Sequence, residues 1–560
     1  MKMPGEIKGL LLLLCFFSAF IIDSHAQTDP KFEDPDYLQK LSDLQTKDTT
    51  FSQRIDHVFT PFVKVLGDVL FWDPFSAVGI YDPVVRDEKG NPIIDEKGNK
   101  VEAPLKLIVV WLIFGGLFFT IFMRFINIRA FRHAIQLIRG KYDKPGSGGE
   151  VSHFQALTTA LSATVGLGNI AGVALAVSIG GPGATLWMML AGFLGMSSKF
   201  VECTLGVKYR KIDKKGRVSG GAMYYLKNGL KKRKLAWLGY FLAATFAVLV
   251  IGGSFGGGNM LQANQAFEQF TSFFPAMAKH GAWYGLVLAF FVGLVIIGGI
   301  KSIARVTSRI VPFMALLYVL TALVIIFMNY DKTGEAFGLI FNGAFSADAM
   351  KGGFVGVLVW GFQRGAFSNE AGVGSASIAH SAARTSEPVS EGIVALLEPF
   401  VDTIVVCTMT ALVIIFTGFY DDTSGVEGVS LTSAAFGSVF SWFPYLLLIA
   451  VTLFAFSTLI SWSYYGQKGF DYLFGGWSEK LFGTRTVTDT IYRLLFLACI
   501  VIGSASSLRS VMDFSDMMVL CMAFPNIIGL LIMAPEVKKD LNLYWEKIRS
   551  GTIKSINKAK

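Results

Sequence analysis

A run of apolar and small residues from 154 to 183 carries Gly166-Leu167-Gly168-Asn169 near its middle. The run is long enough to cross a bilayer, but it places two poor helix formers and a polar amide at mid-membrane. A helix broken there leaves carbonyl and N–H groups that hydrocarbon cannot satisfy. Freed carbonyls suit a hard cation such as Na⁺, and the N–H groups that open a second half-helix suit a carboxylate. The pattern predicts the substrate site of a secondary transporter; the alternative is a glycine-rich packing face between helices.

A second segment of this kind lies at 360–375, with four glycines, Arg364 and Glu370. Charged side chains inside a membrane segment are costly, so we expect a second discontinuous helix here. It comes five spans after the first and therefore crosses the membrane in the opposite direction. Two broken helices, each opening a unit of five spans, indicate an inverted repeat.

Other polar side chains fall within predicted spans. Glu398 and Asp402 are four residues apart, hence expected on one helical face. They could respond to a cation or relay protons, or they could pair with Arg364 or lie in a solvated vestibule. The hydroxyls of Ser457 and Thr458 could ligate Na⁺ or a substrate, or only bond a carbonyl of their own helix.

Three further polar residues lie within predicted spans. The amide of Gln262 could contact substrate or join two helices. Lys199 and Glu202, three residues apart near a helix end, are expected to form a local pair.

Two short motifs resemble enzyme signatures but lack the required context. Residues 252–256 fit the G-x-S-x-G of hydrolases, yet they lie inside an apolar run rather than between a strand and a helix. Residues 166–171 fit G-x-G-x-x-A, but no strand precedes them and no acidic residue follows before Glu202. With neither a Walker A nor an H-E-x-x-H motif present, we expect no enzymatic activity.

The composition indicates a polytopic helical membrane protein. Of 560 residues, 52% are hydrophobic and 16% charged, and the mean hydropathy is +0.51. The net charge of +9 fits membrane topology better than nucleic-acid binding, because the basic residues cluster in alternate loops. The five cysteines form no pattern of a disulfide framework or a zinc site.

The first 103 residues precede the transport domain. Residues 1–26 have the basic start, apolar run and small-residue end of a cleavable signal peptide. In the polar extension 27–103, an aromatic amphipathic segment at 59–75 is expected on the membrane surface. A repeated DEKGN, at 87–91 and 95–99, predicts a small hairpin.

Eleven spans are predicted between residues 104 and 535, the transmembrane domain, with core repeats at about 155–329 and 353–535. They lie at 104–126, 155–178, 183–206, 236–271, 282–300, 306–329, 353–381, 391–419, 436–465, 491–508 and 514–535. Lysine and arginine concentrate in the loops after the first and third spans and in the basic tail 536–560. This asymmetry predicts an outside N-terminus and a cytoplasmic C-terminus.

Four stretches resemble the alanine or glycine:cation symporter family, also called sodium:alanine symporters. They are ALTTALSATVGLGNIAGVA (156–174), GGPGATLWMMLAGFLG (180–195), FSNEAGVGSASIAH (367–380) and FSTLISWSYYG (456–466). The likeness covers about 104–540, with small departures at Leu167 and at 185–189. It implies Na⁺-coupled uptake of alanine or glycine and a leucine-transporter-type fold of two inverted five-helix repeats.

The break itself predicts that Gly168 needs the close approach and free φ of glycine. The resemblance implies the site residues. Na⁺ is the implied coupling ion, and a looser likeness to neurotransmitter:sodium symporters places one Na⁺ at the carbonyls of Ser162 and Val165 and the hydroxyl of Ser457. The substrate-binding residues implied are Gly166, Gly168, Asn169, Gln262, Thr458 and Trp462.

The sequence thus predicts an all-α, multi-pass protein of the bacterial inner membrane that imports small neutral amino acids, alanine first, with glycine and serine as alternatives. Its partners are the small-molecule substrate and the membrane, without nucleic acid. The alternative is a proton-coupled transporter that uses Glu398 or Asp402. A channel is disfavoured because the polar residues form two isolated breaks rather than one continuous stripe.

Overall fold

The computed structural model describes residues 72–80, 82–84, 92, 104–143, 146–214, 216–345, 353–421, 428–506 and 508–555. The predicted signal peptide, most of the predicted hairpin and most of the amphipathic segment lie outside these residues. The described part is almost entirely helical, which confirms the all-α prediction. Its one sheet pairs β1 (Lys211–Ile212) with β2 (Val218–Ser219) in antiparallel register, with Lys211 opposite Ser219.

Nineteen helices of eight residues or more lie in the described part. They are α1 (Leu107–Phe122), α2 (Phe131–Ile138), α3 (His153–Thr164), α4 (Ala171–Gly180), α5 (Ala184–Lys208), α6 (Ala222–Lys232), α7 (Ala236–Phe255), α8 (Leu261–Phe273), α9 (Gly281–Ile296), α10 (Gly299–Met328), α11 (Thr333–Phe345), α12 (Gly353–Asn369), α13 (Pro388–Ala395), α14 (Thr408–Thr417), α15 (Gly428–Gly437), α16 (Phe443–Phe482), α17 (Thr486–Ser504), α18 (Leu508–Cys521) and α19 (Ala523–Arg549).

Shorter pieces connect these helices. They are the helices Pro74–Ala77, Ile126–Arg129, Ala376–His380 and Leu397–Pro399, the 3₁₀ turns Leu167–Asn169, Pro275–Met277, Tyr330–Lys332 and Phe419–Asp421, and the π-helical segments Gly256–Met260 and Phe400–Cys407.

Among the described residues, seven helices are long and apolar enough to span a membrane, or eight if the bent pair α3 and α4 counts as one span. The shorter helices α1, α9 and α12 occupy the positions of the other three predicted spans. Two helices extend beyond the predicted ends of their spans. Helix α16 continues to Phe482 rather than 465, and α19 continues to Arg549 rather than 535. The start of the predicted basic tail is therefore helical, and its Glu536 pairs with Lys208 at 2.6 Å.

The membrane helices form two series of five in the same order. The first comprises α3 with α4, α5, α7 with α8, α9 and α10; the second comprises α12, α13 with α14, α16, α17, and α18 with α19. Corresponding members pack together: α5 on α13, α7 on α16 and α9 on α17. The first and fifth members of each series also touch, as α3 with α10 and α12 with α18. This is the predicted arrangement of two five-helix repeats.

Small residues permit the close packing between corresponding members. A Cβ on Gly466 of α16 would lie 2.0 Å from Ser254 Oγ of α7, and one on Gly285 of α9 would lie 2.2 Å from Ser504 Oγ of α17. Glycine at such contacts lets two helix backbones approach closely, which is a main source of association within a membrane.

Candidate functional site at the broken helices

The first predicted break is present. A capping box of Ser152 and Gln155 starts α3, which ends at Thr164. Gly166 is extended, with φ −132° and ψ −157°, and a 3₁₀ turn follows before α4. The two half-helices are bent by 58°. Peptide groups at the break therefore have no partner within their own helix, as the sequence predicted.

The second predicted break is also present. Helix α12 ends at Asn369, Glu370 adopts φ +53°, and Gly372 and Gly374 have φ +82° and +97°. These left-handed values favour glycine, so the two glycines let the chain turn before the helix Ala376–His380.

Helix α16 satisfies the carbonyls at the end of α3. Thr458 Oγ1 donates to the carbonyl of Ser162 at 2.9 Å, and Trp462 Nε1 donates to the carbonyl of Ala163 at 3.3 Å. Both side chains are buried. Since the last carbonyls of a helix have no partner within it, these two residues take the place of the missing turn.

Gln262 satisfies the other side of the break. Its Oε1 accepts a hydrogen bond from the backbone N–H of Leu167 at 3.0 Å, and its Nε2 donates to the carbonyl of Gly257 at 2.8 Å. A Cβ on Gly166 would lie 2.7 Å from Thr458 Oγ1 and 3.0 Å from Gln262 Oε1. The structure thus brings together Gly166, Gln262, Thr458 and Trp462.

Gly168 lies on another side of the turn. A Cβ there would meet the Phe367 ring at 3.5 Å, an ordinary contact, and its φ is not in the left-handed region. Neither the φ nor the protein contacts of Gly168 require glycine there, and its close approach to a ligand stays a prediction. The steric demand falls on Gly166 instead, because two side chains converge there.

Asn169 links the first break to the helix that follows α13. Its Oδ1 accepts from the N–H of Gly166 at 2.9 Å, and its Nδ2 donates to Asp402 Oδ1 at 2.6 Å. Ser368 Oγ and Thr403 Oγ1 each donate to Asp402 Oδ2 at 2.7 Å. Asp402 is fully buried, and among the described residues it forms an ion pair with no Lys, Arg or His.

The expectation that Glu398 or Asp402 could pair with Arg364 is wrong. Arg364 forms a bidentate pair with Asp516, at 3.1 and 2.6 Å. Glu398 binds Lys199 Nζ at 2.8 Å, closer than the predicted local partner Glu202 at 3.9 Å. Glu398 and Asp402 thus bind different partners, although they stand only four residues apart in the chain.

A chain of buried charges that the sequence did not indicate runs beside the breaks. Glu391 contacts both His153 and His380, the latter at 2.6 Å. His380 Nε2 lies 3.6 Å from Glu398, which completes the chain to Lys199. All five lie within helices of different parts of the sequence, so spacing along one helix could not reveal them.

Comparison with known protein families identifies the class of protein to which the chain belongs. The model of the Sodium:alanine symporter family matches residues 91–558. This chain belongs to the sodium:alanine symporter family.

Three relatives illustrate the similarity within the sodium:alanine symporter family. The Sodium/alanine symporter AgcS of Methanococcus maripaludis is 40% identical over 454 residues, which are 80% of this chain and 96% of that protein. An uncharacterized transporter of Haemophilus influenzae is 40% identical, over 78% of this chain and 92% of its own. The probable sodium/glutamine symporter GlnT of Bacillus subtilis is 36% identical, over 80% and 89%.

Membership of the sodium:alanine symporter family confirms the predicted resemblance and class. The chain is a multi-pass membrane transporter of amino acids rather than an enzyme. The hydrolase-like motif at 252–256 lies in α7 and the turn that follows it, not between a strand and a helix. The roles of individual site residues stay predictions.

Two of the three residues predicted to hold Na⁺, Ser162 and Ser457, join α3 to α16 by a hydrogen bond. Ser162 Oγ donates to the carbonyl of Ser457 at 2.6 Å, and Ser457 Oγ donates to the carbonyl of Phe454 at 3.1 Å. Val165 is the residue after the end of α3. Ser162, Val165 and Ser457 are all buried, and they offer only hydroxyl and carbonyl oxygens, the ligands that hard cations prefer.

Proposed function

We propose that this protein is a Na⁺-coupled symporter that imports small neutral amino acids, with alanine as the principal substrate. The observation that carries the proposal is the closure of Gln262, Thr458 and Trp462 around the broken backbone at Gly166. Backbone groups at a helix break can bind the charged ends of an amino acid. Because bulky side chains surround the break, only a small substrate side chain fits there.

Na⁺ at Ser162, Val165 and Ser457 would join α3 to α16 at the same break. Substrate and ion then favour one occluded conformation, so that each raises the affinity for the other. Asn169 would hold the turn through Gly166 and Asp402, and Gly168 would leave space beside Phe367. Alternating access of the two helix series, driven by the Na⁺ gradient, would complete transport.

A proton-coupled transporter is the second candidate, and two observations favour it. Asp402 is a buried carboxylate whose described partners are all neutral donors. The charged chain through Glu391 also extends from His153 toward Asp143, 3.9 Å away, whose side chain is 47% exposed. Glu398 is a weaker proton site than the sequence suggested, because Lys199 neutralises it.

Uptake of labelled alanine into proteoliposomes decides between the two couplings. We expect an inward Na⁺ gradient to drive accumulation and its replacement by choline to abolish it, with glycine and serine competing and glutamine competing weakly. Accumulation driven by a pH gradient in choline would instead support proton coupling. Equal, non-concentrative flux under both gradients would contradict both candidates.

We further propose that the protein lies in the bacterial inner membrane, with a periplasmic N-terminus after removal of residues 1–26. A cysteine introduced at Asn91 should react with an impermeant thiol reagent in intact cells, and one at Lys554 should react only after lysis. The chain without an introduced cysteine is the control for labelling of its native cysteines. Cys499 is partly exposed, whereas Cys203, Cys407 and Cys521 are buried. The reverse pattern of labelling would contradict the proposed topology.

A further inference from the structure

The π-helical segment Gly256–Met260 interrupts the long span formed by α7 and α8. All five of its residues are buried, and its sequence begins with three successive glycines. A π turn is rare and loosens the regular hydrogen bonding of a helix. Here the carbonyl of Gly257 accepts the side-chain amide of Gln262, which in turn reaches the first break.

Each of the three glycines faces a different neighbour. A Cβ on Gly256 would lie 2.8 Å from the Phe514 ring, and one on Gly257 would lie 3.0 Å from Val519. A Cβ on Gly258 would lie 2.1 Å from Cγ and 2.4 Å from Cβ of Trp462. A methyl group at Gly258 therefore cannot coexist with Trp462 in its present position.

Gly253 contacts the other end of the same indole. A Cβ there would lie 3.4 Å from Cζ3 and 3.5 Å from Cη2 of Trp462, which is ordinary contact. Residues five apart on a regular α-helix are rotated by about 140°. The π turn reduces that rotation, so Gly253 and Gly258 both lie beneath the indole. We call this pair the glycine slot.

The indole lies between the glycine slot and the first break. On the side away from the slot, Trp462 Nε1 donates to the carbonyl of Ala163 at 3.3 Å. Trp462 is 1% exposed, so no solvent-filled space is open for the ring to move into. A methyl group on Gly258 would displace Cβ and Cγ of Trp462, and the indole that they carry must shift with them.

We infer that Gly258, the crowded end of the glycine slot, sets the size limit of the substrate side chain by fixing how far Trp462 extends toward the break. The inference rests on the proposed function, since it places the amino acid at that break. With glycine at position 258, the site admits the methyl group of alanine. With a side chain there, the displaced indole occupies that volume, and glycine becomes the preferred substrate.

The test is the ratio of alanine to glycine binding and uptake in Gly258→Ala. Loss of room for one methyl group should lower the alanine-to-glycine ratio by about tenfold or more. Gly253→Ala is the matched control, because the same methyl group on the same slot makes only ordinary contact and should leave the ratio unchanged. Adding Trp462→Phe to Gly258→Ala should restore much of the ratio, since a displaced phenyl ring reaches less far.

An equal loss for both amino acids, or an unchanged ratio in Gly258→Ala, would overturn the inference. Should Gly258→Ala alone not give monodisperse protein, the contact is tested with Trp462→Gly, which removes the crowded Cβ and Cγ. A yield of Gly258→Ala with Trp462→Gly equal to that of Trp462→Gly alone would support the contact, and a further loss would refute it. Binding to the purified protein is measured with and without Na⁺. Absence of a Na⁺ effect in the parent would count against the coupling, while the ratio would still test the slot.

Discussion

Gly166→Ala is expected to weaken alanine binding by about tenfold to a hundredfold. The added methyl would lie 2.7 Å from Thr458 Oγ1 and 3.0 Å from Gln262 Oε1, so one or both must move. Overpacking of this kind costs about 1–3 kcal/mol, and about 1.4 kcal/mol corresponds to a factor of ten in affinity. Titration calorimetry with alanine, on monodisperse protein, measures the change.

Gly168→Ala is the matched control for that substitution. It adds the same methyl group two residues away in the same turn, at an ordinary 3.5 Å from Phe367. We expect its effect on binding to be clearly smaller than that of Gly166→Ala. Equal losses in the two variants would mean that both glycines contact the substrate, and a larger loss at Gly168 would place the substrate on the Phe367 side.

Lys199→Met is expected to give the largest loss of stability. Lys199 is fully buried between Glu398, at 2.8 Å, and Glu202, at 3.9 Å. Its removal leaves Glu202 without its cation and Glu398 with only His380, 3.6 Å away, and breaking a buried pair in this way costs about 3–5 kcal/mol. Thermal unfolding of the purified protein in detergent should show a markedly lower midpoint.

Two further variants test the cause of that loss. Lys199→Met combined with Glu398→Gln should recover part of the stability, because the nearer carboxylate no longer carries a charge. Lys208→Met, at the end of the same helix, removes a pair with Glu536 that is about a quarter exposed, and it should cost less. A midpoint for Lys199→Met no lower than that of Lys208→Met would show that the buried pair is not important for stability.

The two breaks could be predicted from the sequence because they depend on local chemistry. Glycines and an asparagine at 166–169, and charges among glycines at 360–375, cannot continue a membrane helix without partners from elsewhere. Their separation by five spans indicated the two helix series, which the packing of α7 on α16 and α9 on α17 bears out. Gln262 and Thr458 were singled out as polar side chains within spans, the family resemblance gave them and Trp462 a place at the substrate, and the structure brings all three to the first break.

The partners of the buried charges were decided only by the tertiary structure. Arg364 binds Asp516, 152 residues away, and Lys199 binds Glu398, 199 residues away. Helical periodicity tells which side chains share a face, but not which other helix that face meets. A π-helical segment changes even the faces, because Gly256–Met260 brings Gly253 and Gly258 against the same indole of Trp462. An added residue in a helical turn leaves no clear mark in the hydrophobic pattern, so this alignment could be read only from the folded chain.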